Sequence, residues 1–366
     1  MKNNVCKWGG SSLADGNKVS KVIEYIKKTD TEIVVFSAPG KRDSLDTKVT
    51  DMLIVLSKDI SNLNLIANIQ SRYLEIIKAL QIDFDIKKHL LTIINNYKKT
   101  KNTSYLISRG EWLIAKIIAK KLNYYFADTK NIIKFDKAGK LKNCTYKKIQ
   151  KVVAKYKKVV FPGFYGGYKN KVKIFSRGGS DISGAIISKA LKLDYINFTD
   201  VDGIYSKYPL TSSCKKLKII SYQDLKFLGL FGFNVLHHKC CDILGGTNLK
   251  TTIKSSFEPQ KQGTTVVSDA NNVVASSSFS GLIASSESNI YNILLNNNIY
   301  VLFNYKYQNT HFYITNITER KKLDSLKIRY QKCCIKACVN KKLKNAIYIS
   351  PKHQLVININ KKGTHN

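Results

Sequence analysis

Residues 18–36 read KVSKVIEYIKKTDTEIVVF, a helix pattern followed directly by a strand pattern. In Lys18–Lys28 the apolar side chains recur every three or four residues, which predicts an amphipathic helix. Glu32–Phe36 is a short apolar run rich in β-branched residues, which predicts a buried strand. The polar turn SAPG at residues 37–40 ends this strand. A helix that leads into a buried strand is the repeating unit of an α/β sheet.

The same alternation continues to about residue 270. It predicts strands at Asn4–Lys7, Lys158–Phe161 and Tyr195–Thr199, and helices at Asp51–Leu56, Leu63–Leu80, Ser108–Leu122 and Ile182–Leu191. Alternating strands and helices predict an α/β fold of three layers, in which a mostly parallel sheet is covered by helices on both faces. We therefore expect residues 1–270 to form one large domain.

The pattern changes after residue 268. Residues 279–360 predict strands near 280–285, 298–305, 311–317 and 354–359, with helices near 287–296 and 319–331. This β-α-β-β-α-β order is typical of a ferredoxin-like α+β fold. A second, smaller domain is therefore expected over residues 279–366, with the boundary between 268 and 280.

The chain is strongly basic, with 61 Lys+Arg against 25 Asp+Glu and a formal net charge of +36. Such a balance is typical of proteins that bind nucleic acid or anionic membranes. Only six of the basic residues are Arg, however, and phosphate-reading surfaces usually favour the bidentate guanidinium. The residues in excess (Lys, Asn, Ile and Tyr) are those of AT-rich codons. Compositional drift therefore explains the charge, and we expect no nucleic-acid partner.

Composition also excludes two other classes. A hydrophobic content of 43% with 10% aromatic residues argues against intrinsic disorder. No run of about 18 apolar residues occurs, which predicts no membrane-spanning helix. The eight cysteines form no zinc-finger spacing, and no apolar signal-peptide core precedes residue 11, so we expect reduced thiols and a cytoplasmic location.

Neither of the common phosphate-binding motifs, GxxxxGK[ST] and GxGxxG, occurs in the chain. Phosphate binding would therefore need other glycine-rich segments, and two are candidates. KWGGSS (residues 7–12) follows the first strand, where paired glycines and Lys7 suit a phosphate; a simple turn is the alternative. FSRGGSD (residues 175–181) leads into a helix, whose N-terminus attracts anions. Ser180 or Asp181 could merely cap that helix, whereas Arg177 suits a substrate carboxylate.

Two further motifs admit both a structural and a functional interpretation. Ser108 and Glu111 have the spacing of a capping box, but Glu111 could instead pair with a substrate ammonium group. TDVDGIY (residues 199–205) ends a strand at the sheet edge where α/β proteins bind ligands; an Asp-Gly turn is the alternative.

The order of these motifs resembles that of aspartate kinases of the amino-acid kinase superfamily. The family begins with Lys-Phe-Gly-Gly, and this chain has Trp8 in place of Phe. The similar blocks are Lys7–Gly10, residues 37–42, 48–51, 108–111, 161–166, 175–181, 199–205, 235–237, 252–254 and 263–264. The resemblance covers about residues 1–268.

The resemblance implies transfer of the γ-phosphate of ATP, with Mg²⁺, to the β-carboxylate of L-aspartate, giving 4-phospho-L-aspartate for lysine, threonine, methionine or diaminopimelate synthesis. Lys7 and Asp181 would be catalytic. The implied aspartate-binding residues are Ser37, Thr50, Glu111, Phe164, Arg177 and Ser180. The implied nucleotide-binding residues are Lys7, Gly9, Gly10, Thr199, Asp200, Tyr205 and Lys207.

Departures from the family pattern fall on the nucleotide side and at the C-terminus. Leu210 stands where many members have Arg, and Asn234 where many have Lys. Members commonly carry two tandem ACT domains that bind lysine or threonine and form a dimer. Here about 86 residues are left for a reduced ACT-like domain, too few for a fused homoserine dehydrogenase. We expect a homodimer in which feedback inhibition is lost or weakened.

Three alternatives stay open. The first is a catalytically weakened pseudokinase that still binds aspartate or a partner, which the residues at 210 and 234 would suit. The second is a nucleic-acid-binding protein, which would show a basic stripe on one face. The third is a superfamily kinase that acts on glutamate or a nucleotide.

Overall fold

The computed structural model describes residues 4–175, 178–208, 214–231, 235–270, 274–286, 288–297, 299–307, 309–341, 347–348 and 353–359. Its contacts divide the chain into two units. The first contains the residues up to Ile204 together with Lys239–Ser268, and the second contains Tyr205–His238 together with the residues from Asp269 onward.

Up to residue 204 the chain forms strands and helices, with five consecutive helices between the second and third strands. They are β1 (Asn4–Trp8), α1 (Gly16–Lys28), β2 (Ile33–Phe36), α2 (Val49–Leu56), α3 (Leu63–Leu80), α4 (Ile86–Thr100), α5 (Thr103–Ile107), α6 (Arg109–Leu122), β3 (Tyr125–Phe126), α7 (Thr129–Ile132), α8 (Cys144–Tyr156), β4 (Val159–Pro162), β5 (Tyr165–Tyr168), β6 (Lys171–Ile174), α9 (Gly179–Leu191) and β7 (Asp194–Thr199). A short 3-10 turn, Gly10–Leu13, connects β1 to α1.

Beyond residue 204 the described elements are mainly strands. They are β8 (Lys207–Tyr208), β9 (Ile219–Ser221), α10 (Tyr222–Leu230), α11 (His238–Leu244), β10 (Thr251–Ser255), β11 (Thr264–Val267), β12 (Ala275–Ser286), α12 (Tyr291–Asn296), β13 (Val301–Tyr307), β14 (Thr310–Asn316), α13 (Arg320–Ser325), β15 (Tyr330–Val339), β16 (Ile347–Tyr348) and β17 (His353–Ile359).

The sheet of the first unit places β1 at its centre, in the order β3-β4-β2-β1-β7-β10-β11. Only β11 runs antiparallel to its neighbour in this series. Lys7 is in register with Val35 on one side and with Asn197 on the other. The carboxyl ends of β1, β2, β4 and β7 therefore meet at one edge of the sheet, the position where ligands bind in open α/β folds.

A large apolar core covers one face of this sheet. It packs side chains of β1, β2 and β7 against α1, α3, α4 and α6, and Trp8 stacks on Phe198 with ring centroids 4.0 Å apart. The predicted α/β fold is confirmed, with helix α3 at the predicted residues.

The second unit is built on an antiparallel sheet in the order β13-β14-β12-β15-β17-β16, and β8 pairs with β12 in parallel. The β-α-β-β-α-β order is present from β12 to β15, but the prediction of a helix over 319–331 is wrong beyond Ser325. Residues Tyr330–Val339 form a ten-residue strand. Its alternating buried and exposed residues fit a sheet, because side chains of a strand point to opposite faces in turn.

Within the described ranges, every helix is too short or too polar to cross a bilayer. The division into domains over 1–270 and 279–366 stays a prediction.

Candidate active site

A cavity of about 830 Å³ opens at the carboxyl edge of the central strands. Its lining comes from the ends of β1, β2 and β7 and from the first turns of α2, α6 and α9. The predicted site residues among this lining are Lys7, Gly9, Gly10, Ser37, Thr50, Glu111, Phe164, Ser180, Asp181, Thr199 and Asp200. The structure therefore brings together residues that lie nearly 200 positions apart in sequence.

Lys7 and Asp181 form an ion pair in this cavity. The Lys7 Nζ lies 2.7 Å from Asp181 Oδ1, and both side chains are largely shielded from solvent. Lys7 is placed by the last residues of β1, and Asp181 by the first turn of α9. An ammonium group held in this way can contact a phosphate and stabilise charge that develops on it.

Helix α9 is not capped by Ser180 or Asp181, the alternative that the sequence left open. The N-cap is Gly178, which adopts a left-handed conformation with φ 72° and makes no side-chain cap, so a cap by Ser180 or Asp181 is wrong. The Ser180 Oγ instead lies 3.1 Å from Ser37 Oγ at the end of β2. Both hydroxyl groups line the cavity. Arg177, predicted to bind a carboxylate, lies outside the described residues.

Glu111 is buried at the start of α6, with 3% of its surface exposed. Burial raises the pKa of this carboxyl to about 8, although backbone N–H groups of Glu111 and Ala38 and the Arg109 charge oppose the shift. Its Oε2 has no hydrogen-bond partner in the described part of the chain. The capping-box alternative is wrong, because the Ser108 hydroxyl makes no cap and donates to the Tyr105 carbonyl at 2.8 Å.

Phe164 contributes backbone under strain. Its φ of 77° lies in the left-handed region, which costs a bulky residue free energy and is concentrated at functional sites. The Phe164 N–H donates to Ser183 Oγ at 3.0 Å, and its carbonyl accepts from Phe175 N–H at 2.9 Å. The bond to Ser183 holds the strained turn against α9.

The two loops at the mouth of the cavity touch through glycine. The Gly40 N–H donates to the Gly10 carbonyl at 2.7 Å. A Cβ added at Gly40 would lie 2.7 Å from Gly10 carbonyl atoms, and one added at Gly10 would lie 2.7 Å from the Ala38 oxygen. Only glycine allows this approach, so GG at residues 9–10 is more than a turn after a strand.

Sequence reasoning gave no role to three other charged residues of the lining, namely Lys41, Lys48 and Asp51. They belong to GKR (residues 40–42) and KVTD (residues 48–51), two of the segments that carry the family resemblance. Lys41 and Lys48 add positive charge to the cavity that contains Lys7. Because the lining also contains four acidic residues, these lysines can each contact an anionic ligand but give the cavity no excess of positive charge.

The remaining predicted residues fall elsewhere. Tyr205 and Lys207 belong to the second unit, and their role in nucleotide binding stays a prediction. Positions 210 and 234 lie outside the described residues. Among the residues that the structure describes, no group of three or more His, Cys, Asp or Glu side chains has the arrangement of a metal site.

The model of the Amino acid kinase family matches residues 2–255. The chain belongs to this family. It is 32% identical to aspartokinase 3 of Bacillus subtilis over an alignment of 292 positions, which covers 73% of this chain and 64% of that protein. It is 29% identical to the aspartokinase of Rickettsia prowazekii over 72% of this chain and 54% of that protein. This chain thus spans less than two thirds of the length of these two relatives.

The similarity to solved structures covers nearly the whole chain. The crystal structure of Clostridium acetobutylicum aspartate kinase aligns with a TM-score of 0.79 and 28% identity, covering 98% of this chain and 96% of that one. The structure of Escherichia coli aspartokinase III in complex with aspartate and ADP aligns with the same TM-score at 17% identity, over 97% and 95% of the two chains. At that identity the likeness concerns the fold.

Proposed function

We propose that this chain is an aspartate kinase that transfers the γ-phosphate of ATP to the β-carboxylate of L-aspartate. One observation carries the proposal: Glu111, a buried carboxyl group with an unpartnered oxygen, shares a cavity with the Lys7–Asp181 ion pair. A substrate that suits this cavity has an ammonium group that pairs with Glu111. It also has a nucleophilic group that can accept a phosphoryl group near Lys7. Aspartate has both. The similarity to aspartokinases supports the same substrate.

In the reaction, a β-carboxylate oxygen attacks the γ-phosphorus, the bond from that phosphorus to the bridging oxygen breaks, and ADP leaves. Lys7 stabilises the charge on the transferring group, and Asp181 fixes the position of the Lys7 ammonium. Ser37, Thr50, Ser180 and the backbone at Phe164 hold aspartate, together with Arg177.

Gly9 and Gly10 admit the phosphates close to the backbone, while Thr199, Asp200, Tyr205 and Lys207 bind the nucleotide. Asp181 and Asp200 are the candidates to hold Mg²⁺. Their carboxylate oxygens fit this ion, which is bound in proteins by one or two carboxylates together with substrate phosphates. The ion would neutralise phosphate charge.

The experiment is a hydroxamate assay with aspartate, ATP and Mg²⁺. Wild-type protein should give aspartyl hydroxamate, and Lys7→Ala and Asp181→Ala should give little. Lys21→Ala removes an exposed cation from α1, outside this cavity, and should retain activity. A folded wild type that yields no hydroxamate would contradict the proposal and favour the pseudokinase alternative.

We also propose that residues 279–366 form a reduced ACT-like domain, that the chain is a cytoplasmic homodimer, and that feedback inhibition is lost or weakened. Light scattering on the purified protein tests the dimer. Clear inhibition by millimolar lysine or threonine would contradict the last point.

A further inference from the structure

Arg72 is a buried cation outside the cavity. It lies in the middle of α3 and is 3% exposed. A guanidinium group stays charged at all ordinary pH values, so burying one is costly unless acceptors surround it. None of the residues proposed for substrate binding lies on α3, and the reaction makes no direct use of this helix. The role of the charge must be sought in the groups that accept hydrogen bonds from Arg72.

The guanidinium contacts two separate loops. Its Nη1 donates to the Gly40 carbonyl at 2.8 Å and to the Ala14 carbonyl at 3.3 Å. Its Nη2 donates to Asp46 Oδ2. Gly40 and Asp46 belong to the loop between β2 and α2, and Ala14 follows the glycine turn after β1. One rigid fork of donors thus holds both loops from the side of α3.

These two loops form the mouth of the cavity. The glycine turn contributes Gly9 and Gly10, and the loop after β2 contributes Lys41 and Lys48. Gly40 is the point where they meet, because its N–H donates to Gly10 while its carbonyl accepts from Arg72. A chain of hydrogen bonds therefore runs from Arg72 through Gly40 to Gly10.

We propose that Arg72 is a positioning residue that sets the separation between the phosphate side and the acceptor side of the site. This inference rests on the proposed function. In-line transfer depends on the distance between the acceptor oxygen and the γ-phosphorus, and a displacement of about 1 Å can lower turnover about 100-fold. Without the guanidinium, the loop after β2 loses the anchor at Gly40 and the buried one of the two cations that contact Asp46.

Arg72→Met tests the proposal, because it removes the donors and keeps an unbranched apolar stem. We expect kcat to fall about 10- to 100-fold, while KM for aspartate changes less, since Glu111 lies on α6. Arg42→Met is the matched control. Arg42 also contacts Asp46, with Nε 3.2 Å from Oδ2, but its side chain is 47% exposed. This variant should keep kcat within about twofold of wild type.

Hydrogen exchange separates positioning from a general loss of stability. In Arg72→Met, exchange should become faster at Gly40 and across residues 38–48, with little change in the sheet. Guanidinium ion should restore part of kcat in Arg72→Ala. If Arg72→Met does not fold, Arg72→Lys serves for the same measurements, because an ammonium reaches fewer acceptors than the fork.

Two outcomes would overturn the proposal. One is a folded Arg72 variant with unchanged kcat and unchanged exchange at residues 38–48. The other is faster exchange by one factor throughout the first unit, with kcat lowered only in proportion to the unfolded fraction. An inactive wild type would instead contradict the proposed function, and the exchange measurement would still decide the role of Arg72.

Discussion

Replacing Glu111 by Gln should stabilise the free protein at alkaline pH. The pKa of Glu111 rises from 4.5 to about 8 because the carboxyl is buried. Between those pH values the folded protein retains a proton that the unfolded chain has lost, so the free energy of unfolding falls as pH rises. At about 1.4 kcal/mol per pKa unit, the loss approaches about 5 kcal/mol by pH 8. A Gln side chain does not titrate, so the variant does not lose this free energy of unfolding.

Urea denaturation of wild type and Glu111→Gln between pH 5 and 9 measures this difference. We expect nearly equal free energies of unfolding at pH 5 and a gap of about 3–5 kcal/mol in favour of the variant at pH 9. Glu24→Gln is the control, because Glu24 is an exposed carboxylate on α1. It should follow the wild-type curve.

The same ionisation should control aspartate binding. An ammonium group at Oε2 requires the carboxylate form, so aspartate binding releases a proton from Glu111. The apparent KM for aspartate should therefore fall up to about tenfold per pH unit from pH 6 to 8 in wild type. In Glu111→Gln it should be high and independent of this titration. A stability difference that does not change with pH, or a wild-type KM that is flat over this range, would refute the reasoning.

Three further predictions concern other contacts. Lys7→Met should lower kcat about 100- to 1,000-fold in the hydroxamate assay while the protein stays folded; retained turnover would remove Lys7 from the mechanism. Gly40→Ala should cost about 1–3 kcal/mol in urea denaturation and also lower kcat, because its Cβ meets Gly10 backbone at 2.7 Å. Asp224→Asn weakens the buried 2.8 Å contact to His353 Nε2 and should cost about 1–3 kcal/mol; an unchanged urea midpoint would contradict this.

The sequence predicted the central sheet well because its strands and helices carry strong local patterns. Leu63–Leu80 is a helix at the predicted residues, since its apolar spacing and its Asn62 cap agree. Tyr330–Val339 was missed because YQKCCIKACV places Lys and Cys among few strongly β-forming residues. Only pairing with β12 and β17 makes this segment a strand, and long-range pairing has no local signal.

In the site too, some features have a local sequence signal and others depend on contacts between distant residues. Glu111 and Asp181 could be selected from motifs, but the capping alternatives for both segments were equally compatible with the residue spacing. The choice required knowing that Gly178 caps α9 and that Ser108 bonds to the Tyr105 carbonyl. Arg72 could not have been found from its neighbours in sequence, since its acceptors lie 26 to 58 residues away.

Three of the costly features of the first unit lie in or beside one cavity. Glu111 is a buried acid with an unpartnered oxygen, Phe164 has a left-handed backbone, and the Nε of buried Arg72 lacks a partner in the described residues. Each feature opposes folding, and apolar core residues in place of Glu111 and Arg72 would avoid the cost of burying a polar acid and a charged guanidinium. Such features persist where they serve a ligand or hold a loop. Their position in and beside this cavity therefore favours a site that binds a ligand. The intact Lys7–Asp181 ion pair favours a working kinase over a pseudokinase that only binds aspartate, in which nothing would oppose replacement of the pair.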